Sequence, residues 1–177
     1  MTDQKNYERQ LSLLLRRELE LANDSLLEAA NNLVDEHFDA DIAKKNVLKN
    51  NQLNNLNNVA FTSLSPGKVV AFIAKQAEKD KKNEREKRTW ACNDLCDKLL
   101  KKNREITGNT KESLITEVKD KARRVAIPEN EVDTWFTSER DQEIAITLLR
   151  QFISQFTVFY GLKAVERFGS GENEERE

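Results

Sequence analysis

His37 is the only histidine in the 177 residues, so a Ser-His-Asp or Cys-His triad has a single place to form. Around it stand Asp35, Glu36, Asp39 and Asp41, an acidic cluster of the kind that draws a metal ion. The spacing argues against one. There is no Glu-x-x-His, as a di-iron bundle needs, and no glycine where an EF-hand loop turns. Cys92 and Cys96 with His37 make an incomplete zinc site that lacks a fourth ligand of suitable type. Four residues apart in a helical stretch, the two cysteines read as reduced thiols rather than a disulfide. No Gly-x-Gly-x-x-Gly or Walker sequence offers a phosphate cradle. Trp90, Trp135, Phe61 and Phe72 have faces on which bases stack, but at helical spacing they are expected in the core. The chemistry-bearing residues therefore predict no catalytic site, no metal and no cofactor, and a protein that works by binding.

Charge is more informative than any single residue. The total is −2, yet the chain divides into three unequal parts. Residues 1–43 hold 4 Lys/Arg against 10 Asp/Glu, residues 44–124 hold 20 against 10, and residues 125–177 hold 5 against 11. A basic middle thus lies between acidic ends. Its densest part runs through Lys75, Lys79, Lys81, Lys82, Arg85, Lys87 and Arg88, then Lys98, Lys101, Lys102 and Arg104. The candidate nucleic-acid contacts among these are Lys75, Lys79, Lys82, Arg85 and Arg88, with Lys98, Lys101 and Lys102 on the next helix; Arg123, Arg124 and Arg150 are weaker candidates. Glu78, Asp80, Glu84 and Glu86 are interspersed, and local pairing at i, i+4 would leave only a solvated helix. The alternative is a surface whose cations track phosphates by displacing condensed counterions. The acidic ends have two readings as well: copies stacking head to tail, acidic terminus on basic flank, or three sections neutralising one another inside one bundle.

The elements that must position these residues are helical. Leu, Glu, Lys and Ala are plentiful and no stretch alternates apolar and polar residues between hairpin turns. Leu11, Leu14, Leu15 and Leu19 open an amphipathic helix, which Asn23-Asp24-Ser25 interrupts or uses to cap a second, carrying Leu26, Leu27, Ala30, Leu33 and Val34. A short helix through Leu53, Leu56, Val59 and Ala60 follows. Ser65-Pro66 reads as an N-cap and first turn for Val69, Val70, Phe72, Ile73 and Ala77. Lys79 to Arg88 then has no large apolar residue and must project into solvent or meet a charged partner. Trp90, Leu95, Leu99 and Leu100 resume the pattern until Gly108-Asn109, where Asn109 and Glu112 read as a capping box for a helix with Leu114, Ile115, Val118 and Ala122. After the break at Ile127-Pro128, Ser138 followed by Asp141 starts the strongest helix. Ala145, Leu148, Leu149, Phe152, Phe156, Phe159 and Tyr160 line it, and Ile144, Ile153 and Leu162 widen its face. The prediction is an all-α, single-domain bundle of about five to seven helices over 1–168, with a long central C-terminal helix and an acidic flexible tail over 169–177. Met1 to Asn6 leads directly into charged helix with no secretory leader, and no apolar run approaches the ~20 residues that span a bilayer. A cytoplasmic setting without membrane contact is the expectation.

Two stretches resemble a known family. Asn51-Gln52-Leu53-Asn54-Asn55-Leu56-Asn57-Asn58-Val59-Ala60, then Ser65 and Val69 to Ala77, are similar to the small helical subunit of type III CRISPR effector complexes, in which a Gln-Leu-Arg-Asn-like helix start precedes a basic helix. Leu148-Leu149-Arg150-Gln151-Phe152 through Phe159-Tyr160 resembles a C-terminal helix of cyanobacterial-type relatives. At Asn54 the chain departs from the basic residue of the pattern, so no contact is carried over to that position. The resemblance implies a non-catalytic subunit of an antiviral defence ribonucleoprotein. Several copies would stack along a guide–target RNA duplex or a single strand, beside larger subunits of the same complex. A protein–protein adaptor or structural bundle without nucleic acid is the rival reading. A DNA-binding regulator with its recognition helix near Gln52–Asn55 is a weaker third.

Overall fold

Apolar residues at three- and four-residue steps carry the first helix, α1, without interruption from Thr2 to Asp39. The computed structural model describes residues 2–40, 42–82, 89–108, 113–124 and 127–169, and among these no strand occurs. At 38 residues, α1 is roughly 57 Å long. It buries Leu11, Ala22, Leu26, Ala30, Leu33, Val34 and Phe38 along one side. The expected interruption at Asn23-Asp24-Ser25 is absent. Asn23 directs its side-chain oxygen away from its own backbone and accepts from Gln155 Nε2 at 2.7 Å, so its amide does not compete for the helix hydrogen bonds.

Six further helices follow among the described residues: α2 (Asn50–Thr62), α3 (Pro66–Lys81), α4 (Leu95–Thr107), α5 (Leu114–Arg123), α6 (Glu129–Trp135) and α7 (Ser138–Phe168). One-turn 3-10 segments at Lys44–Asn46 and Cys92–Asp94 precede α2 and α4. α7 is the centre of the bundle and packs against α1, α2, α3, α4 and α5. Its sequence explains why: Ile144, Ala145, Ile146, Leu148 and Leu149 are all buried, a run too wide for one apolar stripe, which requires neighbours on several sides. α1 and α7 run parallel. Their contacts advance together from Asn23–Gln155 to the Lys163–Asp35 ion pair and the Phe38–Phe168 rings. α2 returns antiparallel between α7 and α3. Its start is tied to Tyr160 through the Leu48 N–H and its end to Arg150.

Local chemistry sets the helix ends. Gly108 closes α4, where a Cβ would run into the Arg104 carbonyl. α5 is capped by Ser113, whose Oγ accepts from Thr116 N–H at 3.4 Å; the capping box expected at Asn109 and Glu112 lies outside the described residues. Pro128 starts the short helix α6 where the sequence showed only a break. Thr137, one residue before Ser138, caps α7. Leu162, expected to widen the buried face of α7, is exposed. It sits opposite the side that carries Phe152, Phe156 and Tyr160. Asp41 and the acidic tail after Gly169 are also outside the described residues.

α3 stops at Lys81, so the basic stretch expected to run on from Lys79 to Arg88 as one helix does not do so. The reason is Asp80. Its carboxylate is buried and accepts from the backbone N–H groups of Thr89 (2.8 Å), Trp90 and Ala91 (3.2 Å). Gln52 Nε2 donates to the Thr89 hydroxyl at 2.9 Å, which joins the same point to α2. A helix continuing straight past Lys82 would carry the chain away from this anion-binding nest.

Candidate nucleic-acid interface

α3 brings lysines into line. Lys75, Lys79 and Lys82 are exposed, and Lys68, one helical heptad before Lys75, lies on the same face. Steps of seven, four and three residues keep all four within one side of the helix, over roughly 21 Å along its axis. Among the described residues none of the four forms an ion pair. α3 has two carboxylates: Asp80 is buried in its nest, and Glu78 is exposed without pairing to the row. The row is therefore an uncompensated cationic ridge beside α2, which contains no charged residue and presents Asn51, Asn54, Asn55 and Asn58 to solvent. Lys68 stands apart from the dense charge run and is not predicted with it; the heptad step to Lys75 is the sequence signal that marks it.

The other candidates separate from this row. Lys98 reaches Glu36 of α1 at 3.9 Å, and Lys102 and Lys101 both reach Glu105, at 2.8 and 3.9 Å. Lys98 is thus paired across to α1, and Lys101 and Lys102 share one carboxylate, so these α4 lysines do not extend the uncompensated ridge. Arg85 and Arg88 lie outside the described residues. Arg123 is held between Asp120 and Asp133, at 3.3 and 3.4 Å. Arg124 is exposed at the end of α5. Arg150 is half-buried and structural: Nε donates to the Ala60 carbonyl at 3.1 Å and Nη2 to that of Ser63 at 2.8 Å. It thereby satisfies the last carbonyls of α2, where a cation also complements the helix dipole.

The residues examined for chemistry are engaged in packing. His37 is fully buried, and its Nε2 lies 3.0 Å from the Tyr160 hydroxyl. That hydroxyl accepts from Leu48 N–H at 3.1 Å and makes its second hydrogen bond with the imidazole Nε2. Burial, and after it the charge of Lys98, holds the His37 pKa down to about 4. Burial pushes the Tyr160 phenol well above its usual range. It also raises the Cys92 thiol, which disfavours the nucleophilic thiolate. Cys96 is buried and donates to the Ile73 carbonyl at 3.7 Å. Neither cysteine forms a disulfide. Among the described residues no three His, Cys, Asp or Glu side chains gather as metal ligands, and no helix is long and apolar enough to cross a membrane. Trp90 and Trp135 are buried, and Phe72 packs edge-on against Trp90 with centroids 6.0 Å apart. Phe61 departs from its expected place in the core: it is 54% exposed.

The fold is an all-α helical bundle, and its most distinctive surface is a lysine ridge. The chain matches no family model, no curated protein and no solved structure.

Proposed function

We propose that this chain is a non-catalytic, sequence-independent RNA-binding subunit of a ribonucleoprotein assembly, of the kind represented by the small helical subunits of type III CRISPR effector complexes. The observation that supports this reading is the row Lys68, Lys75, Lys79 and Lys82, aligned on one helix face without carboxylate partners. Lysines in a line contact phosphates without reading bases, which suits a subunit that must accept any guide or target sequence. The asparagines facing solvent on neighbouring α2 supply donors and acceptors for sugar and phosphate oxygens. Pairing of Lys98, Lys101 and Lys102 with Glu36 and Glu105 gives those residues a supporting part.

The test is binding of a fluorescently labelled single-stranded RNA by anisotropy, beside an RNA duplex. Reversal of Lys75, Lys79 and Lys82 to Glu is expected to weaken binding by at least tenfold, whereas Lys101→Glu with Lys102→Glu changes it by less than threefold. Equal losses in both variants would place the contact elsewhere. A second reading, a protein–protein adaptor without nucleic acid, is favoured by the uncharged face described next. Under it, gently purified protein carries no RNA and shows the 260/280 nm absorbance ratio of protein alone at low and high salt.

A further inference from the structure

A third of this chain is charged, yet one face of it is not. Residues 50–67, which include all of α2, contain no Asp, Glu, Lys or Arg, and neither do residues 151–162 of α7. On α7 the outward positions Gln151, Ser154, Val158, Leu162 and Val165 follow each other at three- and four-residue steps, directly opposite the buried Phe152, Phe156 and Tyr160. Val158, Leu162 and Val165 are 56%, 63% and 53% exposed. Phe61 of α2 borders the same face, sharing a surface depression with Gln151 and Ser154. Exposed apolar residues scattered singly need no explanation; a continuous uncharged strip does. Depletion of charge with retained apolar side chains is what marks the centre of a protein interface.

Gly161 is the second observation. It sits inside a 31-residue helix, where glycine costs about 1 kcal/mol relative to alanine. A Cβ built on it meets nothing within 4 Å. Gly108 shows the contrast, since there the fold itself forbids a side chain. Among the described residues nothing requires glycine at 161.

We infer that the α7 face of Val158, Gly161, Leu162 and Val165 pairs with the same face of a second copy of this chain, antiparallel about a two-fold axis between Gly161 and Leu162. The geometry is self-complementary. An axis midway between 161 and 162 sets Leu162 of each copy over the bare backbone at Gly161 of the other, and sets Val158 against Val165. A two-fold needs this property, a projection and a hollow exchanged by the symmetry. Charge points to the same occupant: a face without ions is covered at no cost in unpaired charge only by another face without ions. The dimer is closed and salt-resistant, and it differs from head-to-tail stacking of acidic on basic surfaces, which salt would dissolve.

Sedimentation equilibrium of the purified chain tests this, at a series of concentrations in 0.1 M and 1 M salt. A dimer that persists in 1 M salt and weakens at least 30-fold in Leu162→Glu is the expected result. Leu162 faces away from the core, so circular dichroism and thermal melting of the variant at low concentration should match the parent. Gly161→Leu fills the hollow and is expected to weaken pairing equally while leaving the monomer folded. In a Cys92→Ser, Cys96→Ser background, Leu162→Cys should form an intermolecular disulfide. Val158→Cys should form one only when mixed with Val165→Cys. A monomer throughout the concentration series, a dimer indifferent to Leu162→Glu, or one abolished by salt would overturn the inference.

Discussion

Tyr160 holds its hydroxyl between a backbone donor, Leu48 N–H, and the buried ring nitrogen His37 Nε2. Tyr160→Phe keeps the ring and removes both bonds, leaving two buried polar groups without that partner. The expected loss is about 1–3 kcal/mol, read as a shift of the urea midpoint with an unchanged slope. Burial of His37, and after it the charge of Lys98, makes stability depend on pH. His37 has a folded pKa of about 4 against an ordinary 6.5. Between these values the unfolded chain binds the proton and the folded chain does not. Stability contributed by neutral His37 is therefore complete above pH 6.5 and is lost as pH falls through 4, for a total of about 3 kcal/mol. Urea titrations at steps from pH 7 to pH 4 should show this decline, and His37→Gln should flatten it even though the variant starts less stable. None of this is legible in the sequence, where His37 stands among Asp35, Glu36 and Asp39 and invites a metal reading. Helical spacing shows which residues share a face but not which face turns inward. Asp35 and Glu36 pair with Lys163 and Lys98, while His37 points into the core.

At the scale of elements, most helices follow from the apolar spacing, and the errors have identifiable causes. Asn23-Asp24-Ser25 imitates a cap because these residue types favour caps; the bond to Gln155, 132 positions away, is invisible to a local pattern. α6 went unseen because Pro128 was taken to end a segment, although proline equally well precedes a first turn. Phe61 and Leu162 were assigned to the core because an exposed apolar stripe and a buried one share a period. Asp80 carried no signal at all, since its partners Thr89, Trp90 and Ala91 lie beyond an intervening stretch of charge. This residue ends α3 and returns the chain to α4. Asp80→Ala leaves buried N–H groups without an acceptor and should cost about 3 kcal/mol or more, whereas Asp80→Asn, which keeps one acceptor oxygen, should cost less. Thermal denaturation of the two variants checks the order. An equal effect would mean that the nest contributes packing rather than hydrogen bonds.

For the whole molecule, the tripartite charge pattern was legible from the sequence, but its disposition was not. Lys98, Lys119, Lys121 and Arg123 of the basic middle reach Glu36, Asp141, Glu18 and Asp133 of the acidic ends. Part of the pattern is thus neutralised inside the bundle, by exposed or half-exposed pairs worth at most about 1 kcal/mol each. Sequence gave no means of choosing this arrangement, because which sections face one another depends on α1 and α7 running parallel, a property of topology rather than of composition. What internal pairing leaves over is the ridge on α3, and the account rests on that remainder. The most direct measurement is the salt dependence of RNA affinity between 50 and 200 mM, in the parent and in the variant with Lys68, Lys75, Lys79 and Lys82 all changed to Glu. Three or four lysine–phosphate contacts predict a slope of log K against log salt of about −2 to −3, roughly a 15- to 65-fold loss across that range. The variant should approach a flat line. A parent that binds no RNA, or a slope that the four reversals leave unchanged, would contradict the account.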